Sequence, residues 1–175
     1  MPEAKSNSEL LELAQSVMRK ERWREAIKLL ERNLAAIEKH WELLWNLGWC
    51  HFQLKKWAEA EKYMTKAARL APNNYLCKYG LGSIYLKKKQ YKKAEQILCE
   101  AIQIREGHLA RISLALAYLA QGKIEKAESA HLENIRLNPS QGKRYRSYAA
   151  FLSDVGREGE AAKMYRKARE LHSVN

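Results

Sequence analysis

The stretch that decides the fold runs from Trp41 to Asn74 and reads WELLWNLGWCHFQLKKWAEAEKYMTKAARLAPNN. In each half, the side chains suited to a core recur three or four residues apart, which places them on one face of a helix. They are Leu44, Leu47, Gly48 and His51 in the first half and Ala60, Met64 and Ala67 in the second. Pro72 then stops the second helix. The stretch predicts two antiparallel helices joined by a short polar turn.

The same pattern recurs through almost the whole chain, with a period of about 34 residues. Its anchor is an alanine that recurs at spacings of 34, 34, 33 and 34: Ala26, Ala60, Ala94, Ala127 and Ala161. We therefore predict one domain over residues 7–175, built from five helix-turn-helix repeats. Their bounds are 7–40, 41–74, 75–107, 108–141 and 142–175.

Further columns of the repeat agree with this alignment. The eighth position is always small, so that paired helices can approach closely: Ala14, Gly48, Gly82, Ala115 and Ala149. The seventeenth position is usually large and is predicted to fill the corner between helices: Trp23, Trp57, Tyr91, Ile124 and Glu158. Three core positions depart from the expected residue type, namely Asn33, His131 and Asn134.

These columns resemble the tetratricopeptide repeat family, and the second repeat matches it best, through Leu47, Gly48, Trp57, Ala60, Ala67 and Pro72. The resemblance implies an all-α fold, a right-handed α-solenoid (superhelix) of five antiparallel helix-turn-helix repeats. It also implies that the first helices line a concave groove and the second helices form the convex back. Members of this family bind peptides, helices or whole domains and carry no chemistry of their own.

Composition agrees with a helical, globular protein. Of the 175 residues, 46% are hydrophobic and 30% charged, and the formal net charge is +12, which favours acidic partners. No apolar run reaches the roughly 18 residues that a transmembrane helix needs, and residues 1–6 are predicted to be a disordered N-terminus. Three cysteines without a C-x-x-C pair favour free thiols and a cytoplasmic location. An export signal removed from the chain is the alternative.

No residue pattern predicts catalysis, and we expect a protein that is not an enzyme and needs no cofactor. None of the five histidines pairs with another at helical spacing, so no metal site is predicted. Metalloprotease, nucleophile-elbow and phosphate-loop motifs are absent from the sequence. His51 lies on a core column and is predicted to be a packed histidine.

The predicted groove carries an apolar and aromatic surface at its centre. Trp45, Trp49 and Phe52 share one stripe of a helix whose core stripe is already complete, which indicates an interaction site. Trp49 is the favoured anchor, whereas packing between repeats is the alternative for Trp45, Phe52, Ile112 and Leu116. The candidate peptide-binding residues are Leu11, Trp45, Trp49, Phe52, Tyr79, Leu86, Ile112, Leu116, Lys143 and Arg146.

The far end of the predicted groove is basic. Lys143 and Arg146, with Arg144 and Arg111 nearby, would suit the acidic end of an apolar or amphipathic segment such as a helix. Ordinary solvated side chains are the alternative. The resemblance also offers a carboxylate clamp for chaperone tails, but only Asn46 occupies one of its positions, which argues against that partner.

Two other functions remain open at this stage. The last helix would leave Met164, Tyr165 and Leu171 uncovered, which suggests a longer repeat array, self-association into a homo-oligomer, or a face that tolerates exposure to solvent. A lysine-rich turn could bind nucleic acid or an acidic lipid surface, although nucleic acid is disfavoured because no aromatic platform accompanies it. Its lysines are Lys87, Lys88, Lys89, Lys92 and Lys93.

Overall fold

The computed structural model describes residues 6–171, and within that range the backbone forms helices and no strand. The helices are α1 (Asn7–Arg19), α2 (Trp23–Arg32), α3 (Leu34–Ile37), α4 (Trp41–Gln53), α5 (Trp57–Leu70), α6 (Tyr75–Lys87), α7 (Tyr91–Ile104), α8 (His108–Leu119), α9 (Ile124–Leu137), α10 (Gly142–Asp154) and α11 (Glu158–Glu170). The predicted all-α fold class is confirmed. The prediction for residues 1–6 lies, apart from Ser6, outside the described residues.

The chain divides into two compact units. The N-terminal unit ends at Gln90 and contains α1 to α6, and the C-terminal unit begins at Tyr91 and contains α7 to α11. Five helices begin at Asn7, Trp41, Tyr75, His108 and Gly142, the residues at which the predicted repeats begin. We call α1, α4, α6, α8 and α10 the first helices, and their successors within each repeat the second helices.

Each unit is built by the same neighbour relations. In the N-terminal unit α1 packs on α2, α4 packs on both α2 and α5, and α6 packs on α5. In the C-terminal unit α8 packs on both α7 and α9, and α10 packs on both α9 and α11. A first helix such as α4, α8 or α10 is therefore held by the second helix of its own repeat and by that of the preceding repeat.

The five turns that follow the first helices have one backbone conformation. The fifteenth residue of each repeat has a positive φ: 54° at Glu21, 60° at Lys55, 58° at Lys89, 71° at Gly122 and 79° at Gly156. Two backbone hydrogen bonds of 2.8–3.3 Å close each turn, as in the pair from Lys55 N to Phe52 O and from Lys56 N to His51 O. This is the left-handed helix ending that reverses a chain within three residues.

Small side chains let the paired helices approach closely. The recurring alanines Ala26, Ala60, Ala94, Ala127 and Ala161 are all at most 1% exposed. A Cβ atom built on Gly48 would lie 2.7 Å from Cγ of Met64 and 3.2 Å from the carbonyl oxygen of Ala60. The eighth position of the second repeat therefore has no room for a larger side chain.

Two details of the repeat prediction were wrong. The second helix of the first repeat is broken into α2 and α3 at Asn33, whose side-chain Nδ2 donates to the carbonyl oxygen of Leu29 at 2.9 Å. Such a bond to the preceding turn competes with helical backbone hydrogen bonding. The seventeenth position also fails to fill the corner in the last two repeats, since Ile124 is 42% exposed and Glu158 is exposed too.

Two histidines occupy core positions. His51 is buried and its ring stacks on that of Tyr63, with centroids 5.4 Å apart, as expected for a packed histidine. His131 is 3% exposed and packs against the rings of Tyr148 and Phe151. Burial lowers the pKa of His131 from 6.5 to about 4, although Glu128 opposes that shift. His131 is therefore neutral in the folded protein near pH 7.

Gly156 lies in the last turn and Gly159 in the helix that follows it, so replacing each by alanine compares a left-handed backbone position with a helical one. Gly156 has a φ of 79°, whereas Gly159 is helical, and a Cβ on either meets nothing within 4 Å. Gly156→Ala should lower the free energy of unfolding by about 1 kcal/mol, because an L side chain disfavours the left-handed region. Gly159→Ala should raise it by about 0.5–1 kcal/mol. Denaturant unfolding of both variants measures this, and equal effects would contradict the assignment.

Acid should destabilise the protein through His131. As pH falls below 6.5 the unfolded chain binds a proton at this residue, while the folded protein does so only near pH 4, so stability is lost across that window. We expect a loss of about 2 kcal/mol between pH 7 and pH 5 that a His131→Leu variant does not show. Denaturant unfolding of both proteins at the two pH values measures the difference, and parallel losses would contradict a neutral His131.

Candidate functional site

A stack of aromatic rings runs along the outer face of α4. Trp45 and Trp49 are stacked with ring centroids 5.4 Å apart, and Trp49 and Phe52 are stacked at 5.0 Å. Trp57, the first residue of α5, closes the stack edge-on against Phe52 at 5.2 Å. The i, i+4, i+7 spacing along α4 places these side chains on one stripe, so the stack follows from the sequence of this helix.

Part of this stack forms the wall of a cleft in the N-terminal unit. The cleft has a volume of about 330 Å³ and lies between α1 and α4, and we call it the tryptophan cleft. Its lining residues are Gln15, Met18, Arg19, Trp23, Trp45, Asn46 and Trp49. A cleft of this size, with mostly apolar walls and a few polar groups, suits one or two side chains of a bound polypeptide.

Asn46 gives the tryptophan cleft an unused hydrogen-bond donor. Its side chain is 5% exposed, and its Nδ2 finds no hydrogen-bond partner among the described residues. A buried N–H without a partner costs about 1–3 kcal/mol. Because this nitrogen is shielded from solvent, a carbonyl or carboxylate oxygen in the cleft would accept the hydrogen bond, and remove that cost, once the Asn46 side chain turns toward it.

The predicted anchors of the N-terminal unit differ in how firmly the fold holds them. Trp45 packs against the core, and its Nε1 donates to the carbonyl oxygen of Leu76 at 3.0 Å. Gly80 lies so close that a Cβ there would be 3.1 Å from that Nε1. Leu11 packs against the same core. Trp49 stacks between two aromatic rings of its own helix and has no hydrogen bond to another helix among residues 6–171, so it is the most available of these side chains.

The remaining predicted anchors of this unit lie on α6. Tyr79 is half-buried and stacks on Tyr75 with centroids 6.0 Å apart, and Leu86 is half-buried near the helix end. Neither residue lines the tryptophan cleft. The structure therefore brings together Trp45 and Trp49 at one cleft, whereas Tyr79 and Leu86 lie elsewhere on the first helices.

In the C-terminal unit, α8 carries an exposed apolar stripe. Leu109 is 54% exposed and Leu116 is 48% exposed, with half-buried Ile112 between them. Packing between repeats was the alternative interpretation of Ile112 and Leu116 from the sequence. The described elements of the unit leave about half of the Leu116 side chain uncovered, so packing accounts for only part of it.

The ends of α8 and α10 meet at a polar network. Asn134 of α9 lies between them: its amide contacts Nδ1 of His108 at 3.0 Å, and its Oδ1 accepts from Arg144 Nη1 at 3.0 Å. Arg111 binds both carboxylate oxygens of Glu106. Burial, and then the charge of Arg111, lowers the pKa of Arg144. Arg111 and Arg144, two of the four predicted basic groove residues, therefore serve the packing of this unit.

Lys143 and Arg146 are placed differently. Both are exposed, on the side of α10 opposite its buried residues Tyr148, Ala149 and Leu152. Neither makes an ion pair with any residue in the part of the chain that the structure describes. Their charges are therefore free for an acidic ligand.

Several residues predicted for nucleic-acid or lipid binding and for self-association already contact other residues of the chain. In the lysine-rich turn, Lys88 pairs with the carboxylate of Glu61. In the last helix, Met164 and Tyr165 pack against the core of the C-terminal unit, and Leu171 is half-buried. Each surface is less open than the sequence pattern alone suggests.

No reactive centre stands out among the described residues. Burial raises the pKa of the Cys50 thiol to about 12 and that of Cys77 to about 11, so neither is a thiolate near neutral pH. Residues 6–171 contain no cluster of three side chains suited to hold a metal ion. Over the same residues, no helix combines the length and apolarity needed to cross a membrane.

Sequence reasoning missed part of the tryptophan cleft. Asn46 was considered only as a member of a carboxylate clamp, and Trp23 only as a corner residue. Gln15 and Met18 occupy groove positions of the first repeat, so the signal for them was present in the repeat columns. The missing partner of Asn46 could not be read from sequence, because it depends on the surrounding side-chain positions.

Comparison with models of known protein families identifies the family of this chain. Two tetratricopeptide repeat models match residues 11–75 and 55–105, and together they span more than half of the chain. Among proteins with curated descriptions, none is similar enough in sequence to count as a match.

Solved structures resemble the chain over nearly its whole length. MamA from Desulfovibrio magneticus RS-1, starting at its residue 41, is 23% identical, with 99% of each chain covered and a TM-score of 0.79. A thermophilic TPR protein of Thermus thermophilus is 20% identical, with 94% of this chain and 90% of that chain covered and a TM-score of 0.80. At such identities the likeness shows the fold, an α-solenoid of tetratricopeptide repeats.

Proposed function

We propose that this chain, which belongs to the tetratricopeptide repeat family, is a non-catalytic scaffold that holds an apolar or amphipathic segment of another protein. The family and the fold support a protein-interaction scaffold in general. The finer proposal is that the segment lies on the first helices. In the N-terminal unit the bound segment would insert one of its side chains into the tryptophan cleft.

The single observation that carries this proposal is the unpartnered amide of Asn46. A scaffold with no ligand would gain stability from an apolar residue of similar size at this buried position, because the N–H would no longer be desolvated without compensation. The amide lies in a cleft walled by Trp45 and Trp49, where a bound polypeptide would present backbone carbonyl groups. Its cost to the free protein is therefore recovered when the side chain turns toward the cleft and a ligand accepts from Nδ2.

Trp49 would supply much of the binding energy. Tryptophan is the residue type most enriched among interface hot spots, and truncating one costs about 2 kcal/mol or more of binding. The stacking of Trp49 between Trp45 and Phe52 fixes its ring before the ligand arrives. A pre-ordered ring loses little conformational entropy on binding, which favours affinity.

The same proposal includes a cytoplasmic location and a role without catalysis. Three free cysteines, two of them buried, fit a reducing compartment such as the cytoplasm. A binding role requires no ionisable group with a matched pKa, and the perturbed groups Cys50, Cys77 and His131 owe their shifts to burial in the core.

Self-association and binding to nucleic acid or acidic lipid have weaker support. Met164 and Tyr165 contact the core of their own unit, which leaves less of them for a second copy. Lys88 is neutralised by Glu61, which reduces the charge that the lysine-rich turn can offer to phosphates.

The decisive variant is Asn46→Leu, because it separates binding from folding. A ligand would first be selected from a random 16-residue peptide library displayed against the immobilised protein. The Asn46→Leu variant should then unfold at an equal or higher denaturant concentration, yet bind the selected peptides about tenfold more weakly, a loss of about 1.4 kcal/mol.

Two controls define the outcome. Leu132→Ala removes an apolar side chain that is 50% exposed on α9, a second helix, and should leave peptide affinity unchanged. Trp49→Ala should reduce affinity by more than Asn46→Leu does. If no peptide is enriched, or if Asn46→Leu binds as tightly as the wild type, the tryptophan cleft is not the binding site.

A further inference from the structure

Charge is unevenly distributed between first and second helices in the C-terminal unit. α8 has one basic residue and no acidic residue, and α10 has three basic residues before its first acid, Asp154. The second helices differ, since their charges balance: α9 has three glutamates and two basic residues, and α11 has three glutamates and four basic residues. The side of this unit formed by α8 and α10 is therefore positive, although the unit as a whole contains many acids.

The positive charge borders the exposed apolar stripe. His108 of α8 and Arg144 of α10 contact the same Asn134 side chain, so their sequence neighbours Leu109 and Lys143 belong to adjoining helix ends. Lys143 also contributes to the lowered pKa of His108, after burial, which agrees with a short separation. Further along, exposed Ala150 on α10 occupies the repeat position that Leu116 has on α8.

We propose that this surface, formed by Leu109, Ile112, Leu116, Lys143, Arg146 and Ala150, binds an acidic amphipathic helix of a partner protein. The inference rests on the proposed function and adds a second, chemically distinct site on the C-terminal unit. Apolar side chains of the partner pack on Leu109, Ile112 and Leu116. Its carboxylates lie on the α10 side and pair with Lys143 and Arg146.

Charge complementarity selects this occupant. Lys143 and Arg146 have no partner within the described chain, and Glu106, the acid that lies at this end, is already bound by Arg111. A neutral apolar segment would make no use of these two charges, which would stay solvated at the edge of the surface. An acidic segment neutralises them and is drawn in by long-range attraction. The stripe from Leu109 to Leu116 rises about 10 Å along α8, so two to three helical turns suffice to cover it.

The test uses peptides selected from a random 16-residue library on the intact protein. The double charge reversal Lys143→Glu with Arg146→Glu removes the proposed contacts. Lys163→Glu with Arg166→Glu is the matched control, because both residues are exposed on α11 and the net charge changes equally. Circular dichroism melting of both double variants verifies that each remains folded.

The inference predicts that enriched peptides contain an excess of Asp and Glu beside apolar residues at helical spacing. Their affinity should fall by at least about tenfold in the Lys143/Arg146 variant at about 50 mM salt, and by much less near 0.5 M. The Lys163/Arg166 control should lose less than about twofold. Leu116→Ser should weaken binding at both salt concentrations, because its contribution is apolar.

The outcomes distinguish this inference from the proposed function. Peptides without acidic excess that lose affinity in Asn46→Leu but not in the Lys143/Arg146 variant would overturn the second site and leave the tryptophan cleft in place. Failure to enrich any peptide would overturn both. Vesicles of phosphatidylserine and phosphatidylcholine should not sediment with the protein. Sedimentation that depends on Lys143 and Arg146, without acidic peptide binding, would assign the surface to lipid instead.

Discussion

One backbone constraint governs the rest of the structure: after every first helix the chain must reverse within three residues. The reversal needs one residue with a positive φ, and Glu21, Lys55 and Lys89 adopt it although their side chains disfavour it. The strain, about 1 kcal/mol each, is offset by what the reversal permits. The returning helix places an alanine such as Ala60 against its partner, where it is fully buried.

The first helices pack on the second helices through their inner sides, so fewer side chains on their outer sides are needed for packing. Packing against two second helices buries the inner side of α4, yet the same helix displays Trp49 and Phe52 outward. In the C-terminal unit the corresponding side of α8 and α10 carries Leu116 and Arg146. Residues on these sides can vary with the ligand, which is why one fold can serve many partners.

The fold could be predicted from the sequence because its signal is repeated five times. Core positions such as Leu47, Ala60 and Ala127 recur at the same place in each repeat, so the helix assignment of one repeat supports that of the others. The break at Asn33 could not be predicted, since it depends on whether a side-chain amide bonds to Leu29 O or to a neighbouring helix. The candidate site was predicted only in outline. Helical spacing identified Trp49, but the unpartnered state of Asn46 depends on the three-dimensional packing around it.

The central claim is that ligands bind to the first helices, and the side-chain N–H groups of tryptophan and asparagine report on it directly. In a nitrogen-15 correlation spectrum, each of the five tryptophans gives one indole signal. On addition of a selected peptide, the signals of Trp49 and of the Asn46 amide should shift, whereas that of Trp41, which packs against the core, should stay in place. Shifts confined to residues of the second helices, with Trp49 and Asn46 unchanged, would contradict the account.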